Sequence, residues 1–234
     1  MKVRIKFSKQ GPMKFIGHLD VMRFFQKVMR RAEVNIRYSE GFSPHQIMSF
    51  AAPLGVGLTS NGEYLDIEVT DDETASPSSA VMVERLNAAM VEGIEVLSYR
   101  KLPDNAKNAM SMVAAADYTL RFRPGYGPED QKAFWERLAE FLERSSIEII
   151  KTTKKGEALV DIKPHIYEYR AGDDSLFIRL AAGSSANIKP ELVIAAYSEQ
   201  TGETFSPFAF QVQREEVYGE GMVPLDVYKR QGGN

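Results

Sequence analysis

The hydrophobic patterning of the 234 residues predicts an α+β protein of two tandem ferredoxin-like units, each β-α-β-β-α-β with an antiparallel sheet. Three observations predict it. The apolar period switches between two and about 3.6 in a fixed order. That order occurs twice. A stretch without a clean period, residues 103–116, separates the two occurrences.

The first unit opens with Val3–Ser8, where Val3, Ile5 and Phe7 alternate with Arg4 and Lys6, as in a strand with one buried face. Gly11-Pro12 marks a turn. From Gly17 to Ala32 the period becomes helical, with Leu19, Met22, Phe25, Met29 and Ala32 on a stripe widened by Val21, Phe24 and Val28. Packing on a sheet predicts that Leu19, Met22 and Met29 are buried. Asn35–Tyr38 reads as a short strand, followed by the turn-rich Ser39-Glu40-Gly41-Phe42-Ser43-Pro44. Gln46–Ala51 and Tyr64–Val69 read as strands. Ser76-Pro77 opens a second helix, with Pro77 at its first helical position. Ile94–Lys101 closes the unit as a strand.

The pattern then restarts. Tyr118–Arg123 reads as a strand and Glu129–Ser145 as a helix with Phe134, Leu138, Phe141 and Leu142 on its apolar face. Glu148–Thr152, Ala158–Ile162, Ile166–Tyr169 and Leu176–Leu180 follow as strands, with Gly172-Asp173-Asp174 as a hairpin turn. Lys189–Ser198 reads as a helix and Phe208–Val217 as a strand. The expected organisation is therefore a basic N-terminal domain (1–102), a linker (103–116) and a C-terminal domain (117–220). Residues 226–234 read as a non-native tail, because Asp226–Gln231 is what a sequencing-library transposon end encodes when read in frame.

Composition narrows the chemistry. With no cysteine there is no thiolate nucleophile, disulfide, iron–sulfur ligand or cysteine-type zinc site in the chain. No apolar run reaches the roughly 20 residues that span a bilayer, and the N-terminus lacks the apolar core of a signal peptide. A cytoplasmic protein without membrane contact is expected, with no metal and no cofactor of its own. Pro53-Leu54-Gly55-Val56-Gly57 lacks the Lys-Ser/Thr of a phosphate-binding loop and does not fit G-x-G-x-x-G.

The net charge of −3 hides an asymmetry. Residues 1–50 hold ten Lys/Arg against three acids, and the rest is acidic. On the first helix Arg23, Lys27 and Arg30 share a face, with Arg31 beside them. Cations so spaced can track phosphates. Arg37, Tyr38, Glu40, Gly41, Phe42 and His45 belong to the adjoining turn, where glycine permits positive φ and Pro44 stiffens the chain. Such a loop can offer backbone N–H groups to an anion, and Tyr38 and Phe42 can stack on unpaired bases. Phe15 and Phe50 sit beside apolar residues and read as core. Lys151, Lys154 and Lys155 form a second basic cluster that reads as a solvated strand end.

The segment from Gln10 to Glu68 also carries an ordered string: Gly17-His18-Leu19-Asp20, Arg23-Phe24-Phe25, Arg30-Arg31-Ala32, Tyr38 through His45, Ser49-Phe50-Ala51, Pro53 through Gly57 and Gly62 through Asp66. In these residues the chain resembles the radical-SAM-linked family, a bacterial domain of unknown function fused to, or encoded beside, radical SAM proteins. The resemblance implies a radical SAM partner, acting in trans or as an upstream fused module. It implies no activity for the chain itself.

Three functional readings follow. The first is a non-catalytic companion of a radical SAM enzyme that binds an anionic substrate, RNA above all. The second is a metal-independent ribonuclease, in which His18 and His45 act as general acid and base. The third is a protein–protein adaptor, expected if a large apolar patch is exposed. The first reading expects that the chain alone catalyses nothing, and that His18, His45 and His165 serve structure or substrate contact.

Overall fold

The computed structural model describes all residues except 72–75, 154–155, 207 and 228–234, and only the backbone of 151–153. The architecture is mixed α+β, with antiparallel sheet and helices. The chain divides into two compact units, one of Met1–Val113 with the residues from Glu216 onward, the other of Ala114–Glu215.

In the first unit the order is β1 (Lys2–Lys9), a 3₁₀ turn (Gly11–Phe15), α1 (His18–Arg31), β2 (Met48–Phe50), β3 (Thr59–Glu68), α2 (Ser79–Ala88), β4 (Ile94–Leu102) and the short α3 (Ala109–Met112). The strands lie in the order β4-β1-β3, with β2 on the far side of β3, all antiparallel. Ile5 stands opposite Leu65 and Tyr99 in register, so the apolar set of each strand reaches the same face. Against it α1 packs Val21, Phe25, Val28 and Met29. Phe7, Phe25 and Phe50 form an aromatic cluster, with ring centroids 4.7 to 6.1 Å apart in tilted and edge-on arrangements.

Several local expectations need correction. Met29 is fully buried and Met22 half-buried, but Leu19 is 61% exposed, because it sits in the first turn of α1 where its side chain projects to solvent. Phe15 is likewise exposed rather than core. The N-cap of α2 is Ser78, whose hydroxyl accepts from the Val81 N–H, so Pro77 precedes the cap instead of opening the helix. Asn35–Tyr38 makes only isolated bridges, Ile36 to Val69 and Tyr38 to Gln46. Residues 103–113 carry α3 and bury Ala106 and Ala109, and β5 already begins at Ala115.

The other face of the first sheet is not solvated at Arg4. Its side chain is buried and its guanidinium grips Asp66 bidentately at 2.7 and 2.9 Å. It also donates to the carbonyls of Leu225 (2.8 Å) and Lys107 (3.0 Å), and Asp66 takes the Ala109 N–H at 2.7 Å. Beside it Lys6 pairs with Glu216, which also accepts from the Tyr64 hydroxyl at 2.7 Å. Burial and the neighbouring Glu216 and Asp226 carboxylates push the Tyr64 hydroxyl far above its usual pKa. The alternation of Val3–Ser8 is thus a strand buried on both faces at Arg4, one apolar and one ionic.

The second unit contains β5 (Ala115–Phe122), α4 (Gln131–Leu142), β6 (Glu148–Thr153), β7 (Gly156–Asp161), β8 (Ile166–Ala171), β9 (Ser175–Ala181), α5 (Pro190–Thr201) and the start of β10 (Phe210–Tyr218). The strand order is β10-β5-β9-β8, and β6 pairs with β7 as a separate hairpin. Asp130 caps α4 by accepting from the Ala133 N–H at 2.9 Å, and Gly202 ends α5 in the left-handed conformation at φ +78°. The core gathers Phe122, Phe134, Trp135, Phe205 and Phe210. Of the second basic cluster, Lys154 and Lys155 and the side chain of Lys151 lie outside what is described, as do residues 228–234 of the expected tail. Leu225 is buried, and Asp226 accepts from Ser98 and Tyr64.

Candidate functional site

The solvent face of α1 carries the cations named from the sequence. Arg23, Lys27, Arg30 and Arg31 are all exposed. Arg23 pairs with Asp20 at 3.4 Å, a weak exposed i,i+3 contact. Lys27, Arg30 and Arg31 have no carboxylate partner among the described residues. Arg31 instead lies 5.9 Å from the Phe24 ring. Arg30 and Arg31 sit in the last turn, where positive charge is favoured by the helix dipole.

Residues 37–47 form a closed loop whose base is a short ladder. Ser39 N–H donates to the His45 carbonyl at 2.8 Å, and Ile47 N–H to the Arg37 carbonyl at 2.9 Å. The Ser39 hydroxyl accepts from the His45 N–H at 3.1 Å and lies 2.9 Å from His45 Nδ1. Gly41 takes φ +109°, which L side chains rarely adopt, and the turn leaves Phe42 fully exposed at its tip. The Arg37 N–H donates to the Glu68 carbonyl, and its guanidinium reaches the Glu68 carboxylate at 3.4 Å. Glu40 is exposed beside Gly41.

One buried side chain joins loop and helix. The Gln46 amide donates to the Gln26 carbonyl and to the Tyr38 hydroxyl, both at 3.3 Å. The bond ties the 37–47 loop to the main chain of α1 at Gln26.

The histidines are held apart in their contacts. His18 stands edge-on to Phe50, with centroids 5.2 Å apart, at the start of α1. His45 is tied to Ser39, beside the residue that meets Gln26, eight residues or about 12 Å further along the helix axis. His165 ends the 3₁₀ turn Lys163–His165 in the second unit. Among the described residues no group of three or more His, Asp or Glu is placed to hold a metal ion.

Sequence reasoning missed an apolar part of this surface. Phe15, Leu19 and Val56 are 63%, 61% and 59% exposed. The Gly57 N–H donates to the Lys14 carbonyl at 2.7 Å, which draws the 53–57 loop to the turn that carries Phe15, and the Lys14 ammonium lies 5.1 Å from the Phe15 ring. The signal was the pair Gly55 and Gly57, which keeps Val56 on an exposed loop. Among the described residues no helix is long and apolar enough to cross a membrane.

Fold and surface together define a mixed α+β protein with exposed cations on α1 and exposed aromatic rings at Phe15, Tyr38 and Phe42. Residues 2–190 match the family described as "Uncharacterized protein conserved in bacteria (DUF2344)", and the chain belongs to that family. None of the curated proteins compared matches the chain. Among solved structures it is similar to a chain of a Cbf5-Nop10-Gar1 complex, at 10% identity and a TM-score of 0.44 over 92% of this chain and 48% of that one. It is also similar to an unknown protein from Galdieria sulphuraria, at 11% identity and a TM-score of 0.26 over 92% and 96%. The chain thus spans about half the length of the first of these.

Proposed function

We propose that the chain is a non-catalytic, RNA-binding companion of a radical SAM enzyme, built from two ferredoxin-like units. The strand orders β4-β1-β3-β2 and β10-β5-β9-β8 support the fold assignment, the second unit carrying the β6–β7 hairpin as an insertion between α4 and β8. The observation that carries the function is the junction of α1 with the 37–47 loop. There Lys27, Arg30 and Arg31 lack carboxylate partners among the described residues, and Phe42 projects from a hydrogen-bonded turn. Cations that track a backbone beside rings that stack on bases are the recurrent means of holding single-stranded nucleic acid. The radical SAM partner rests on the sequence resemblance, and the absence of cysteine assigns any iron–sulfur cluster to that partner.

The test is fluorescence anisotropy with a labelled unstructured RNA oligomer across a salt series. Lys27→Glu/Arg30→Glu weakens binding most at low salt and lowers the salt slope by roughly 0.7 for each phosphate that no longer meets a cation. Phe42→Ala costs about 1 to 3 kcal/mol for one stacked base. Equal affinities for wild type and double variant would sink the reading.

The exposed Phe15, Leu19 and Val56 favour a second reading, an adaptor that docks on the partner enzyme. In that case Leu19→Ser abolishes co-purification with the radical SAM protein and leaves RNA affinity unchanged.

A further inference from the structure

The polar face of the first unit's sheet holds a feature that the RNA reading does not use. Lys2 and Glu68 stand directly opposite each other in the β1–β3 register, close enough for opposite charges to pair. They do not. The Lys2 ammonium donates to the carbonyls of Asp104 (3.2 Å) and Ala106 (3.4 Å), while among the described residues the Glu68 carboxylate takes only the exposed Arg37 guanidinium at 3.4 Å. Both residues line a partly enclosed cavity of about 160 Å³.

The other walls define what such a space accepts. Ile47, Met48, Leu102 and Ala106 supply an apolar side. Ser49 donates to Asn108 at 3.3 Å at the polar side. Asp66 also lines the cavity, but both its oxygens are committed to Arg4 and the Ala109 N–H, so it offers no net charge to a guest. Lys107, exposed, adds a second cation to the lining. The volume corresponds to several waters at about 30 Å³ each, and falls well below the roughly 300 Å³ at which drug-sized ligand pockets begin.

We propose that this cavity binds a small zwitterion, an α-amino acid with an apolar side chain. Its carboxylate meets the remaining Lys2 donor, its ammonium meets Glu68, and its side chain lies on Met48 and Leu102. One guest thereby meets both the Lys2 ammonium, which bonds only main-chain carbonyls among the described residues, and the Glu68 carboxylate, which otherwise has only the weak, exposed Arg37 contact, and pairing both charges at once costs less than burying either alone.

The test is isothermal titration of the full chain with L-leucine and L-methionine, in parallel with isoamylamine and isocaproate, which each keep one of leucine's two charges. At least one amino acid binds, and each one-charge analogue binds about 10- to 100-fold more weakly. Glu68→Gln and Lys2→Met weaken the amino acid by a similar factor. The analogue comparison uses wild-type protein, so it stands whether or not a variant folds. No heat and no shift in melting temperature with either amino acid overturns the proposal. So do analogues that bind as well as their parent.

Discussion

Removing the Asp66 carboxylate should be far more damaging than removing the whole ion pair. Arg4 has no solvent exposure, and its Nε and one terminal nitrogen are both spent on Asp66. In Asp66→Ala the guanidinium stays buried with the carbonyls of Leu225 and Lys107 and the Met112 sulfur, none of which carries a neutralising charge. Breaking a buried pair in this way costs about 3 to 5 kcal/mol. The Ala109 N–H loses its acceptor as well, which places the result at the upper end of that range. In Arg4→Met/Asp66→Leu no charge is left behind, and apolar replacement of a buried pair is commonly neutral or stabilising. The double variant should therefore recover most of the loss. Urea unfolding followed by far-UV circular dichroism, with linear extrapolation, measures both. A single variant within about 1 kcal/mol of wild type would refute the reasoning, as would a double variant no more stable than the single.

Met29 is fully buried against the first sheet, so Met29→Ala should cost about 2 to 5 kcal/mol, while Leu19→Ala, at an exposed site, should stay within about 0.5. Thermal or urea melts of the two variants separate these outcomes. Burial, with Asp71 nearby, pushes the Tyr99 hydroxyl up to about 12 from its usual 10.0. The folded state therefore holds this proton where the unfolded chain releases it, so the stability it contributes is complete below pH 10 and declines as pH rises toward 12. The gap corresponds to about 2 to 3 kcal/mol, and Tyr99→Phe should show a smaller fall in urea midpoint between pH 9 and pH 11.5.

What could be read from the sequence divides by the range of the interaction. The stripe of Phe25, Val28 and Met29 and the alternation of Val3, Ile5 and Phe7 are local periodicities, and each lies where its period places it. The cations of α1 were legible for the same reason: a helix presents positions three and four apart together whatever else the chain does. Arg4 was not, because a basic residue alternating with apolar ones looks solvated. Its burial depends on Asp66, 62 residues away, and on main-chain carbonyls at 107 and 225. Much of the basic excess of residues 1–50 disappears in the same manner, since Lys6 is spent on Glu216 and Arg37 on Glu68. Charge counting therefore overstated how much of the positive charge of residues 1–50 stays unpaired. Among the described residues, Lys27, Arg30 and Arg31 of α1 keep no carboxylate partner, and the helical period had already placed them on its solvent side.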